Sequence, residues 1–161
     1  MEINKLQDKK KFILNVLVVL TFIGSSLNII SAIWQYETIE ENMGRMNQIL
    51  ANSDNKIPEF AKKFVNEDAL EMTKKLVQNK LPFLTVSLIG SLLCLYGAFQ
   101  MRKLKKEGYY LYLMGAIFPF LTFPIFVGWN ILSDRFVILN ILLSLIFIIF
   151  YSSQKKILTQ I

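Results

Sequence analysis

Four long apolar runs, separated by polar stretches, dominate the chain. Residues 12–34, 81–101 and 109–129 are nearly uninterrupted hydrophobic sequence, and 136–151 is a shorter run of the same kind. Crossing a hydrocarbon core about 30 Å thick takes roughly 20 helical residues at 1.5 Å each. The first three runs meet that length; the fourth reaches it by taking in Ser152 and Ser153, or through local thinning of the bilayer. Pro119 and Pro124 interrupt the third, which predicts a kinked helix, with a re-entrant segment as the alternative. The expected fold is all-α: one membrane domain over residues 1–161, an integral membrane four-helix bundle with an extracytoplasmic helical hairpin, 35–80, between spans 1 and 2.

The hairpin has its own periodicity. Tyr36, Ile39, Met43, Met46 and Leu50 recur at steps of three and four, so the first span is predicted to continue outward as an amphipathic helix to about Ala51. Asn52–Pro58 reads as a turn. Beyond it Ala61, Val65, Ala69, Met72 and Leu76 share one helical face, with Lys62, Glu67, Glu71 and Lys75 elsewhere around the cylinder. Two antiparallel helices are expected there, with Pro82 bending the return into the second span.

Composition agrees with this partition. Of 161 residues 53% are hydrophobic, and the mean hydropathy is +0.42, high for a soluble domain that needs a polar surface. The 18 basic and 12 acidic residues leave a net charge of +6 and a pI near 9.4. Such a balance invites a nucleic-acid reading, but the basic residues cluster beside the apolar runs, where lipid headgroups lie. Lys5 with Lys9, Lys10 and Lys11, then Arg102, Lys103, Lys105 and Lys106, then Lys155 and Lys156 all fall on one side if there are four spans. That side is the cytoplasm. Trp34, Tyr36 and Trp129 are expected at the outer border, and Tyr109, Tyr110 and Tyr151 at the inner one.

The basic start followed by an apolar run resembles a signal peptide, yet the run is long and has no small-x-small cleavage site, so it reads as an uncleaved anchor. No Asn-x-Ser/Thr acceptor, retrieval tetrapeptide or prenylation box occurs. A bacterial inner membrane is the expected location.

Candidate chemistry is sparse. There is no histidine, and the one cysteine, Cys94, lies inside an apolar run, so no disulfide within the chain and no metal centre built on these residue types is expected. As drawn, the spans contain no Asp, Glu, Lys or Arg, the usual marks of proton relays and ion pathways. Asp134 and Arg135 sit together in the outer turn between spans 3 and 4, where solvated charges are the ordinary occupants.

What the spans do offer is packing. Ser87, Gly90, Ser91, Cys94, Gly97 and Ala98 form a stripe of small residues that lets helices approach closely, within the bundle or against a partner. Thr21, Ser25, Asn28 and Ala32 share a face of the first span, with Gly24 and Ser31 beside it. A carboxamide in hydrocarbon needs a hydrogen-bond partner, so Asn28 is expected to bond to a neighbouring helix, and Asn140 with Ser144 in the fourth span invites the same expectation. The Arg102–Lys106 run fixes topology, with Gly108 as a permissive helix-ending residue. Together with Lys9, Lys10 and Lys11 it is also a candidate contact for anionic lipid.

The stretch Tyr96–Met114 carries the small pair Gly97–Ala98, the run Lys103-Leu104-Lys105-Lys106, and then Gly108, Tyr109, Tyr110, Leu111 and Tyr112. It resembles a hairpin of uncharacterised small four-span bacterial inner-membrane proteins. The resemblance covers that hairpin alone and implies an architecture, with no activity and no functional residue to carry over.

The functional expectation is a non-enzymatic scaffold or interaction component without a cofactor, partnered by the lipid bilayer and, through the 35–80 hairpin, by a homo-oligomer or another membrane protein. The alternative is a subunit of a channel or transporter for a small neutral or hydrophobic solute. A membrane-embedded enzyme is the least supported class, because Glu37, Glu40 and Glu41 have no histidine or cysteine beside them.

Overall fold

The computed structural model describes residues 2–51, 67–129, 135–155 and 158. Five helices follow one another there: α1 (Glu2–Ala51), α2 (Glu67–Gln78), α3 (Lys80–Arg102), α4 (Lys106–Val127) and α5 (Arg135–Gln154). Among the described residues four helices are long and apolar enough to cross a membrane, in α1, α3, α4 and α5. The expected turn at Asn52–Pro58, together with Ala61, Lys62, Val65, Asp134 and Lys156, lies outside the described residues.

Helix α1 is one uninterrupted rod of 50 residues. No proline occurs in it, and the N-terminal lysines read as a tail are part of the same helix. At 1.5 Å per residue it is about 75 Å long, more than twice a hydrocarbon core. What holds it is a single seam. Leu14, Leu17, Val18, Thr21 and Ala32 are buried, and Ser25, Tyr36, Ile39, Met43, Met46 and Leu50 are half-buried. These residues recur largely at steps of three and four, so one face meets the rest of the chain from Leu14 to Leu50.

Helix α2 lies on the outer part of that seam. Its Ala69, Met72 and Leu76 are half-buried, Glu71 and Lys74 are exposed, and Thr73 Oγ1 is 4.0 Å from Met46 Sδ. A one-residue break at Asn79 separates α2 from α3. The Asn79 amide N–H donates to the Lys75 carbonyl, and its Nδ2 donates to Lys75 O and to Phe126 O, each at 3.1 Å. Pro82 sits in the first turn of α3, where a missing N–H costs no helical bond.

The α3–α4 hairpin is the tightest part of the molecule. Gly97 faces Gly108, and Gly90 faces Gly115: a Cβ built on Gly97 would lie 2.5 Å from Tyr112 N and 2.7 Å from Gly108 O, and one on Gly115 would lie 2.7 Å from Gly90 O. Helix α4 runs as one helix through Pro119 and Pro124. Gly90 is where the Pro119 ring fits, since a Cβ there would be 2.6 Å from Pro119 Cγ. The turning-back alternative for this segment is therefore not what the chain adopts.

The connection between these helices corrects the expectation for Gly108. That residue is inside α4, and the helix-ending position is Leu104, whose φ is 61°. Leu104 N donates to Met101 O at 2.9 Å and Lys105 N to Gln100 O at 3.1 Å, the paired bonds of a Schellman motif with leucine in the place glycine usually takes. A left-handed leucine costs about 1–2 kcal/mol. Packing of its side chain against the core cluster offsets that cost.

The core gathers at the end of the bundle where α1 begins. Leu14, Leu17, Val18, Ala98, Met101, Tyr109, Tyr112, Ala116, Tyr151 and Leu158 form one buried cluster. Helix α5 joins it through its C-terminal half, with Phe147, Ile148 and Tyr151. Ser152 and Ser153 are helical, so the fourth run does gain length by including them. The N-terminal half of α5 leaves Ile138, Leu139, Leu142 and Leu143 exposed.

Candidate functional site

Three sets of polar residues occupy distinct levels of the bundle. In the middle, hydrogen bonds cross between helices. Asn28 Nδ2 donates to Ser91 Oγ at 3.0 Å, joining α1 to α3, although Asn28 as a whole residue is exposed. Thr21 Oγ1 and Tyr151 OH are 2.8 Å apart in a buried bond that ties α1 to α5. Cys94 Sγ approaches Tyr112 O at 3.8 Å between α3 and α4. The small-residue stripe is thus covered within one chain: Gly90, Cys94 and Gly97 meet α4, Ser91 meets α1, and Ser87 is buried beside them.

The remaining candidates lie outside these three bonds. Ser25 is half-buried on the α1 seam; Gly24 is exposed, and a Cβ there would meet nothing within 4 Å. Ser31 accepts a 3.4 Å bond from Gln35 of its own helix. Asn140 is exposed on α5 and Ser144 half-buried. Two of the aromatic border marks are core residues instead. Tyr151 is fully buried and Tyr109 is 8% exposed, because both belong to the buried core cluster, where the tilted Tyr112 and Tyr151 rings have centroids 4.7 Å apart. Tyr110, Trp34 and Trp129 remain exposed.

At the end where α2 packs on α1 the charges pair with one another. Lys80 Nζ contacts Glu40 Oε1 at 2.5 Å and lies 5.0 Å from the centre of the Tyr36 ring, locking the start of α3 to α1. Glu41–Arg45 and Glu71–Lys75 are pairs within α1 and α2. The hydrogen bond from Lys75 holds the Glu71 carboxyl below its ordinary range. A recess of about 10 Å³ lies among Ala32, Tyr36, Ile39, Leu76, Lys80 and Phe83, enough for one water molecule. Phe83 and Phe123 stack at 4.5 Å on the α4 side.

At the end where α1 begins, no ion pair is formed among the described residues. Lys9, Lys10 and Lys11 occupy the first turns of α1 just before the core residues Ile13 and Leu14; Arg102, Lys103, Lys105 and Lys106 surround the α3–α4 turn; Lys155 follows α5. The fold brings the three basic clusters to one end. Lys155 Nζ lies 5.4 Å and 5.0 Å from the Tyr109 and Tyr110 ring centres, and Lys103 Nζ lies 4.4 Å from the Phe99 ring. Gln154 beside it is 6% exposed; its Nε2 donates to Ser153 Oγ, and its Oε1 has no partner among the described residues.

Among the described residues no three of His, Cys, Asp and Glu come together in the way metal ligands would. Sequence reasoning missed Gly108 and Gly115 as the counterparts of Gly97 and Gly90, and missed Tyr151 as the partner of Thr21. The first had a legible signal: Gly90 and Gly97 are seven residues apart, as are Gly108 and Gly115, on helices joined by a short turn. Compared with protein-family models, with curated proteins and with solved structures, the chain matches none.

Proposed function

We propose that this chain is a multi-pass protein of the bacterial inner membrane, with both ends in the cytoplasm, acting as a non-enzymatic scaffold that docks a membrane protein or a second copy through its outer hairpin. The observation that carries the reading is the continuous α1 seam. A helix of about 75 Å that spends some 30 Å in hydrocarbon carries the rest of its length outside, far more than a tether needs. Helix α2 and the Lys80–Glu40 pair brace that extension, so it leaves the membrane as a stiff, charged surface. Convergence of the basic clusters at the opposite end supports the cytoplasmic assignment of both termini.

Crosslinking from cysteines placed at exposed outer positions such as Asn42 and Gln48, in native membranes, tests the docking. A discrete adduct with another protein or with a second copy is expected. Absence of any adduct, with monomer alone recovered in mild detergent, refutes the scaffold; solute flux through reconstituted vesicles would favour the pore alternative.

A further inference from the structure

The two ends of this bundle treat charge differently. The three ion pairs among the described residues, Arg45–Glu41, Lys75–Glu71 and Lys80–Glu40, all belong to the outer half. Among the described residues none of Lys9, Lys10, Lys11, Arg102, Lys103, Lys105, Lys106 and Lys155 is in an ion pair. Glu107 is the acid of the turn, and it is exposed without a recorded basic partner. Gathered like charges repel one another, and an aromatic ring beside Lys155 or Lys103 leaves the ammonium charge in place. The ion pairs among the described residues leave these cations available to anions from outside the chain.

The surroundings specify what carries them. Next to these cations, on the side of the apolar spans, large hydrophobic side chains are exposed: Phe12 at 69%, Phe99 at 42% and Tyr110 at 51%. The Schellman bonds at Leu104 and the burial of its side chain fix the basic turn, so its cations are held at the level where apolar surface stops. A soluble phosphate would satisfy the cations and leave the rings in water. A nucleic acid has no hydrocarbon to offer Phe12 and Phe99.

We infer that the inner end, built from Lys10, Arg102, Lys103, Lys105, Lys106 and Lys155, binds anionic phospholipid, with the phosphate diester among the cations and the acyl chains against Phe12, Phe99 and Tyr110. The inference rests on the chain being membrane-spanning and is independent of what the outer hairpin docks.

Full-length protein in neutral detergent, titrated with phosphatidylglycerol or phosphatidylcholine and read by native mass spectrometry, tests it. Phosphatidylglycerol is expected to bind at least ten-fold more tightly, and each neutralised lysine in Lys103→Gln, Lys105→Gln and Lys106→Gln should weaken it about five-fold. The outer control Lys74→Gln should leave it unchanged. The preference should also shrink as salt rises from about 0.1 to 1 M, which tests the site even if the multiple variant misfolds. Equal binding of the two lipids, or a salt-insensitive preference, overturns the proposal. Displacement of the lipid by inorganic phosphate, but not by chloride at the same ionic strength, reassigns the cations to a soluble anion and overturns it too. A chain that enters bilayers yet shows no lipid preference loses this site alone; one that does not enter bilayers removes the membrane reading as well.

Discussion

The α3–α4 hairpin and helix α5 are built from similarly apolar sequence, yet they are held in opposite ways. In the hairpin two glycine pairs bring backbones so near that a Cβ would fall 2.5–2.7 Å from main-chain atoms. In α5 the buried core cluster is reached through the C-terminal half, by Tyr151, Phe147 and Ile148, and most of its large described side chains are exposed. Apolarity alone therefore does not hold a helix in this bundle. In lipid, helices gain nothing from leaving one apolar medium for another, so close packing and interhelical hydrogen bonds decide which of them adhere.

The sharpest way to break the contrast is to add a side chain where backbones touch. Gly97→Val should destabilise the bundle by about 3 kcal/mol or more, because the obstructing atoms are backbone and cannot rotate aside. Gly24→Ala, with open space around it, should be neutral or stabilising by up to about 1 kcal/mol. Unfolding of both variants in a mild detergent, followed by circular dichroism, measures the difference; equal effects would dissolve the distinction.

Next in size are the two polar bonds. Tyr151→Phe removes the partner of a buried Thr21 and is expected to cost about 1–2 kcal/mol, loosening α5 in particular. Ser91→Ala should cost about 0.6 kcal/mol, since Asn28 keeps some exposure and can find another partner. Protease accessibility of α5 separates them: it should rise for Tyr151→Phe and stay unchanged for Ser91→Ala.

The smallest effect is expected on the free flank of α5. Leu143→Ala, at a side chain 53% exposed, should shift stability by no more than about 0.5 kcal/mol in detergent. A loss near the 2–5 kcal/mol of a core leucine would mean that another surface covers this flank in solution. Oligomeric state measured on the same preparation would identify a second copy as that surface.

The helical extension of α1 beyond its apolar run was legible in advance, because polar and apolar positions alternate there with the helical period. Tyr36, Ile39, Met43, Met46 and Leu50 had to face inward, and their spacing carried the helix to Ala51. Asn28 was legible for a related reason: a carboxamide in an apolar run has few acceptable neighbours. Inside the spans that logic fails. Tyr151 looked like a border residue and proved to be the most buried aromatic side chain among the described residues, since lipid-facing and helix-facing positions are both apolar.

The sequence by itself determined how many helices of spanning length the chain makes, where they begin and end to within a few residues except at the start of α1, which lies ten residues before the apolar run, and where its cations cluster, because length, hydropathy and charge are local properties. Only the tertiary structure decided that Gly97 rests on Gly108, that Tyr151 bonds to Thr21, that Leu104 takes the left-handed position, and that α5 joins the buried core through its C-terminal half. Those outcomes depend on shape complementarity between segments as much as 130 residues apart, and no pattern confined to one helix encodes which neighbour it will meet.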